Sequence, residues 1–532
     1  MTVADSAVVA AVQFSTGLDV DENLATCLRM IDRAAESQAA LIVLPEFINH
    51  LSVYESSDHC REVAVELDGP FVQALAERAA RHGAYVVGAC TVRRPDRITV
   101  TSLMLGPDGR LMGQADKQTL MGNERRFLSP GPNVAPVFDV DVGATSHRVG
   151  MYACMDGVTP ETPLALTVRG AHILTNSLNS VAKDEASLHI PVRAAENGVY
   201  VVAASKVGPL LPPQQVEAFS EAMGLPPESF NGAGESQIVA PDGKVLAMAS
   251  RDQAEYVYAD IDVSLADDKR RPDGTDIFQS RRPELYADIA ADPAGQVMPA
   301  LNGAKEVSAA VIQLAHAADL DEACARVAEA VATGAELISL PPLPGDLEQL
   351  EQAVMFGEQL VRQLAAVCGD AHVATAIIRR SDQGYQHCAV LVGSQGLVLA
   401  QPQVHASERF AFSELADTFV SAELPCGRVA VLTSDDSIYP ETFRLLAMAG
   451  VEVALLPLSP LEDWELGTGL LERSAENRIN LLVAPDTVAH GPGFITSLQT
   501  DFTVMTEWQE RAFDGLLSQP EWHRSDGKPG VF

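Results

Sequence analysis

The sequence predicts an α/β protein built from two successive copies of one fold. Three observations carry that expectation. At 532 residues the chain is too long for one ordinary domain. Through the first half, short β-rich apolar runs alternate with segments whose apolar residues recur at helical spacing. From residue 306 onward the same order of motifs begins again.

The run AVVAAVQF (7–14) is predicted to be a strand. Residues 21–36 then place Leu24, Cys27, Leu28, Ile31 and Ala35 at helical spacing behind Asp19 and Asp21, acids suited to a helix start. ALIVLPEF (40–47) is a continuous apolar strand of the kind buried on both faces. It breaks at Pro45 and projects Glu46 from its carboxyl end, where open sheets carry function. A helix at about 71–82 leads to strands at 84–92 and 98–106, a PDG turn at 107–109 and a strand running toward Asp116 and Lys117. KQTLMGNERRFLSPG (117–131) reads as a charged, glycine-bearing loop.

Strands around 136–142 and 146–153 deliver Cys154 in GMYACMDGVTPE, where apolar sequence turns into polar, Gly- and Pro-bearing sequence. A strand ending at a cysteine leaves the thiol at the sheet edge, with the following backbone N–H groups opening toward a helix that starts near Pro160. A helix (161–169), the strand AHILTNS (171–177), a helix ending in RAAEN (193–197) and the strand VYVVAAS (199–205) continue the alternation. Residues 208–234, rich in Pro and Gly, read equally as a lid or as a plain surface loop. A second PDG turn (241–243), a strand near 255–262 and the tail IFQSRRPELY (277–286) close the first copy, and residues 287–305 read as a linker. The expected domains are therefore 1–286 and 306–532.

The repeat is specific. GAELISLPPL (334–343) mirrors QAALIVLPEF (38–47), CGRVAVLTSDDSIYPETF (426–443) mirrors SHRVGMYACMDGVTPETP (146–163), and RSAENRINLLVA (473–484) mirrors RAAENGVYVVAA (193–204). The last two pairs share an offset of 280 residues, a period that means two copies of one domain and not a solenoid.

Composition narrows the function. A formal net charge of −35 argues against nucleic acid or an anionic membrane as partner and points to a small molecule. The start MTVADSAVVAAVQF lacks the features of a secretion signal, and no apolar run would span a bilayer, so a cytoplasmic protein is expected. Eight cysteines spread over so long a chain without a CxxC suggest neither a disulfide framework nor a metal site, so reduced thiols and no metal or cofactor are expected.

Glu46, Lys117 and Cys154 each follow a strand, and together they match a chemistry. A thiol with an ordinary pKa near 8.5 needs a base or a cation beside it. Glu46 can take its proton and Lys117 can hold the thiolate. These motifs, with Glu124 and Phe127 after Lys117, Asp156, Pro160 and Glu161 after Cys154, and the RAAENGVYVVAAS, SQIVAPDGKVLA and RRPELY segments, resemble the nitrilase (carbon–nitrogen hydrolase) superfamily over nearly all of residues 7–286. The resemblance implies an α-β-β-α sandwich, a Glu46–Lys117–Cys154 triad and a nearby second glutamate, Glu124, that orients the substrate amide or Lys117. The two sandwiches would pack as an internal pseudo-dimer, with or without further association into a homo-oligomer. The backbone N–H of Met155 is expected to stabilise the oxyanion, and Asp156 and Asn179 are candidate pocket residues.

The second copy departs at each catalytic position: Pro342 stands for Glu46, Ser434 for Cys154, and no lysine occurs between Lys305 and Lys528. A set built on Ser434, Asp435, Asp436 and His405 lacks the G-x-S-x-G elbow, so a degenerate, inactive copy is expected. Trp464, at position 184 by the same offset, is expected in a core or walling the pocket. Met155–Asp156 after the nucleophile, in place of the Trp-Glu of true nitrilases, favours a small amide or carbamoyl substrate. A nitrilase or an amine-accepting acyltransferase using the same triad is the alternative, and a non-catalytic binding or scaffold protein is the reading from another class.

Overall fold

The structure is a computed structural model that describes residues 6–142, 145–291, 303–304, 306–315, 319–487, 490–499 and 513–532. The chain forms two units, Met1–Lys269 with Asp501–Leu517, and Arg270–Thr500 with Ser518–Phe532. Most of the expected linker at 287–305 lies outside the described residues.

In the first unit, one six-stranded sheet contains β1 (Ser6–Gln13), β2 (Leu41–Val43), β3 (Tyr85–Arg93), β4 (Ile98–Leu105) and β5 (Leu111–Asp116), with β14 (Glu255–Asp262) outside β1. The other sheet runs in the order β13 (Val245–Met248), β12 (Gln237–Val239), β9 (Tyr200–Ala204), β8 (Ile173–Ser177), β7 (Ser146–Ala153) and β6 (Val137–Asp141). Strands β1, β2 and β3 are parallel, as are β7, β8 and β9. Parallel strands need crossovers, and the helices supply them.

Period-2 patterning then sets the layers. Val9, Ala11, Val43 and Val87 of the first sheet meet Val149, Met151, Ile173 and Val202 of the second in a sheet-to-sheet core. The opposite face of the first sheet packs Ile42, Leu44 and Val86 against α1 (Val20–Ala34) and α3 (Pro70–His82) through Cys27, Ile31, Val72 and Leu75. The opposite face of the second sheet packs Tyr152, Leu174 and Val201 against α5 (Glu161–Val168) and α6 (Ile190–Ala195) through Leu166, Ile190 and Ala194. The result is the α-β-β-α sandwich.

The insertion at 208–234 holds a two-stranded ribbon, β10 (Val207–Pro209) with β11 (Asn231–Ala233), and a helix, α7 (Pro213–Met223). Phe219 of that helix packs on Phe230, with ring centroids 6.2 Å apart. The charged loop contains one helical turn, α4 (Glu124–Phe127). Within the same unit the chain returns at 513–517, where the Lys183 N–H donates to Gly515 O (2.8 Å) and the Leu517 N–H to Asp184 Oδ2 (3.1 Å).

The second unit has the same strand order. One sheet has β15 (Ala309–Gln313), β16 (Leu337–Ser339), β17 (His372–Arg380), β18 (Tyr385–Gly393) and β19 (Gly396–Pro402), with β26 (Gly530–Val531) outside β15. The other runs β20 (Ala422–Leu424), β21 (Gly427–Val431), β22 (Val453–Leu458), β23 (Asn480–Pro485), β24 (Phe494–Ser497) and β25 (Glu521–Arg524). Val311, Leu337 and Leu391 face Val431, Leu455 and Leu482 between the sheets. The tail after residue 269 groups with this unit, because Arg271 pairs with Glu465 (2.5 Å) and Glu462 (3.2 Å) and Arg282 with Asp417 (2.8 Å). Trp464 packs beside Ile277, Ile438 and Tyr439 of its own unit.

Candidate active site

Four strand ends converge in the first unit. Glu46 leaves β2, Lys117 leaves β5, Cys154 leaves β7, and Asn179 stands two residues beyond β8. Glu46 and Lys117 have side chains with no solvent exposure. Lys117 Nζ lies 2.8 Å from Glu46 Oε1, 3.1 Å from Glu124 Oε1 and 3.0 Å from Glu124 Oε2. One ammonium thus bridges two carboxylates, which is how a buried cluster of charge avoids an uncompensated ion. Glu124 is itself held, its Oε2 accepting the Met121 N–H at 3.0 Å.

Cys154 sits in the left-handed backbone region, at φ 49°, as the first residue of a tight turn, Cys154–Gly157. A non-glycine residue there costs on the order of 1 kcal/mol and persists only where its surroundings over-determine it. They do so here. The Cys154 N–H donates to Asn176 Oδ1 at 2.9 Å. Buried Arg193 of the RAAEN segment holds the rest of the turn, its Nε donating to Gly157 O (2.8 Å) and its Nη2 to Val158 O (2.9 Å), while Nη1 pairs with Glu196 Oε1 (2.6 Å). Asp156 ties the turn to the Lys117 strand by accepting the Gln118 N–H at 3.0 Å and the Thr119 N–H at 2.7 Å.

Burial pushes the Glu46 carboxyl up from its ordinary value to about 7, with Lys117 opposing the rise and Glu124 adding to it. Burial and the Glu46 charge hold the Cys154 thiol well above its ordinary value, against Lys117 and the backbone N–H of Asn179, which pull it down. Burial alone would lower Lys117, but Glu46, Cys154 and Glu124 together hold its proton well above the ordinary range. At neutral pH the group therefore comprises a fixed ammonium, a neutral thiol and a carboxyl poised to exchange a proton.

Of the residues singled out from sequence, Glu46, Lys117, Glu124 and Cys154 come together here. Met155 follows Cys154 in the turn, and its carbonyl accepts from the Val158 N–H (3.3 Å). Asn179 Nδ2 donates to Ser52 Oγ at 3.4 Å. Sequence reasoning missed Asn176, Arg193, Glu185, whose charge raises the thiol's proton affinity, and Lys206, which follows β9. Their signal was position, since each lies in or just beyond a strand or helix of the second sheet's side of the unit.

In the second unit Asp436 accepts from the Val404 N–H (3.1 Å) and His405 N–H (2.9 Å), as Asp156 does from Gln118 and Thr119. That match places Gln403 where Lys117 stands, a counterpart not evident from lysine positions alone. Ser434 Oγ accepts the Ser459 N–H (2.7 Å) and donates to Pro457 O (3.3 Å). His405 is engaged at Nδ1 by Asp436 (2.8 Å) and at Nε2 by Tyr286 Oη (2.6 Å), so among the described residues no Ser–His hydrogen bond forms.

The carbon-nitrogen hydrolase family profile matches residues 8–271. A nitrilase of Pyrococcus abyssi is 31% identical over 270 residues, covering 51% of this chain and 94% of that protein. The human omega-amidase NIT2 is 28% identical over 295 residues, covering 52% of this chain and 96% of that protein. Among solved structures, Saccharomyces cerevisiae Nit3, a member of branch 10 of the nitrilase superfamily, aligns with TM-score 0.41 and 27% identity over 49% of this chain and 92% of that one. The chain belongs to the nitrilase (carbon–nitrogen hydrolase) superfamily, and the protein is a carbon–nitrogen hydrolase. Among the described residues no helix is long and apolar enough to cross a membrane.

Proposed function

We propose that the protein hydrolyses the C–N bond of a small amide or carbamoyl compound through a thioester on Cys154. The observation that carries this reading is the buried pairing of Lys117 with Glu46 and Glu124 beside a thiol held at a strand end. Glu46 takes the Sγ proton as the sulfur attacks the carbonyl carbon. Charge developing on oxygen faces the Lys117 ammonium and the Met155 N–H, each such donor being worth about 3–4 kcal/mol. Collapse of the tetrahedral adduct breaks the C–N bond, and Glu46 returns the proton to the departing ammonia or amine. Water then attacks the thioester, giving its proton to Glu46, and the acid leaves as the thiol is restored.

The second unit reads as a degenerate copy of the first. Its shared strand order and the matching Asp156 and Asp436 tethers support a duplication. Pro342, Gln403 and Ser434 at the three key places leave it no acid–base, no cation and no thiol. A panel of short amides, carbamoyl compounds and nitriles incubated with the protein and with Cys154→Ala tests the assignment. Ammonia or amine release from amides or carbamoyl compounds, lost in Cys154→Ala, is expected. Release from nitriles but not amides would overturn the amide assignment.

A further inference from the structure

Lys206 is a second buried amine beside the site. Its side chain is fully buried, and among the described residues its Nζ has no hydrogen-bond or ion-pair partner. It stands 5.8 Å from the centroid of the Phe47 ring, and Lys117 Nζ stands 5.7 Å from the same centroid. Phe47, next to Glu46 in sequence, is also held in the left-handed region at φ 52°. The Lys206 backbone is fixed from the ribbon side. Its carbonyl accepts the Gly234 N–H at 3.0 Å, and a Cβ on Gly232 would lie 2.3 Å from that carbonyl, so only glycine fits. An amine locked in the interior with a ring face and, among the described residues, no carboxylate against it carries a desolvation cost, and buried groups perturbed in this way cluster at functional sites.

The groups facing these charges are few. Glu46 is faced by Lys117 from β5, Glu124 from α4, Cys154 after β7, Lys206 after β9 and Tyr54 from the segment after β2. Lys206 is faced by Glu46 and by Cys27 of α1, and it acts in turn on His50, which follows β2. Glu46 is the carboxylate that faces Lys206. Among the described residues its Oε2 accepts no hydrogen bond, whereas Oε1 lies against Lys117.

We propose that Lys206 is a positioning residue for Glu46: its buried ammonium supplies a second positive charge that keeps Glu46 ionised in the resting enzyme, ready to take the Cys154 proton. The proposal rests on Glu46 being that acceptor. Burial drives the Glu46 carboxyl toward its neutral form, and Lys117 is shared with Glu124, so one cation serves two acids. Lys206 supplies the balance. Burial lowers its own affinity for a proton to about 7, with Glu46 and Cys27 working to keep the proton on.

Alkylation of Cys154 by iodoacetamide, followed by peptide mass spectrometry from pH 5 to 9, reads the proton acceptor without a known substrate. Lys206→Met should move the rising limb to higher pH by about 1 unit, slowing alkylation about tenfold on the acid side, while Lys206→Arg keeps it in place. Lys206→Met should also melt at a higher temperature than the parent. Its gain should be largest below pH 7 and shrink toward 10.5, because the parent loses stability as pH falls through that window. Lys206→Gln provides a second neutral side chain. A limb unmoved in the neutral variants, but lost in Glu46→Gln, overturns the proposal alone. A limb retained in Glu46→Gln overturns the reading of Glu46 on which it rests.

Discussion

Arg193→Ala should unfold the first unit early. The guanidinium is fully buried and makes charge-assisted bonds to Gly157 O, Val158 O and Glu196 Oε1. Truncation leaves the Glu196 carboxylate buried without this cation and takes the donor from two carbonyls, a loss of about 3–5 kcal/mol. In a unit of this size that is roughly a 10 °C fall in melting temperature. Calorimetry is the suitable assay, because a two-unit chain can melt in separate transitions and only one should move. Arg193→Met combined with Glu196→Leu removes both charges and should recover about half of the loss, the remainder being the carbonyls still without donors. A fall of under about 1 kcal/mol in Arg193→Ala would refute the claim that this arginine holds the Cys154 turn.

Three further outcomes follow from the same geometry. Lys117→Met should abolish turnover and lower stability by about 3–5 kcal/mol, since it strands Glu46 and Glu124 without their shared cation; chemical denaturation checks this. Asp156→Asn should cost about 1–3 kcal/mol and lower kcat, because the acceptor for the Gln118 and Thr119 N–H groups weakens; paired unfolding and rate measurements separate the two effects. Raising the Glu46 carboxyl from 4.5 to about 7 means that its contribution to stability is full below about 4.5 and is lost as pH rises through 7. The same titration should make kcat/KM climb about tenfold per pH unit below 7 and level off above it.

Much of this site was legible in the sequence because catalytic groups stand where strands end, and strand ends are visible as breaks in apolar runs. Pro45 stops one such run before Glu46, and the Gly- and Pro-bearing turn stops another at Cys154. Lys206 also follows a strand, but ASKVG reads as an ordinary exposed turn, and nothing local announces that Phe47 and the β10–β11 ribbon bury the lysine. The docking of 513–517 near Lys183 was equally hidden, since the partners lie 331 residues apart and neither segment carries a periodic pattern. Arg271 and Arg282 sit in a tail that continues the first copy's motifs, yet their ion pairs are with acids of the second unit. Periodicity reports which face of an element is apolar, and it is silent on which distant carboxylate an arginine will meet.

The nucleophile itself is tested most directly by acid quenching during turnover of an amide or carbamoyl substrate, followed by peptide mass spectrometry. An acyl adduct on Cys154, absent from Cys154→Ala along with all ammonia or amine release, is the predicted result. Turnover that persists in Cys154→Ala, or an adduct mapped to another residue, would contradict it.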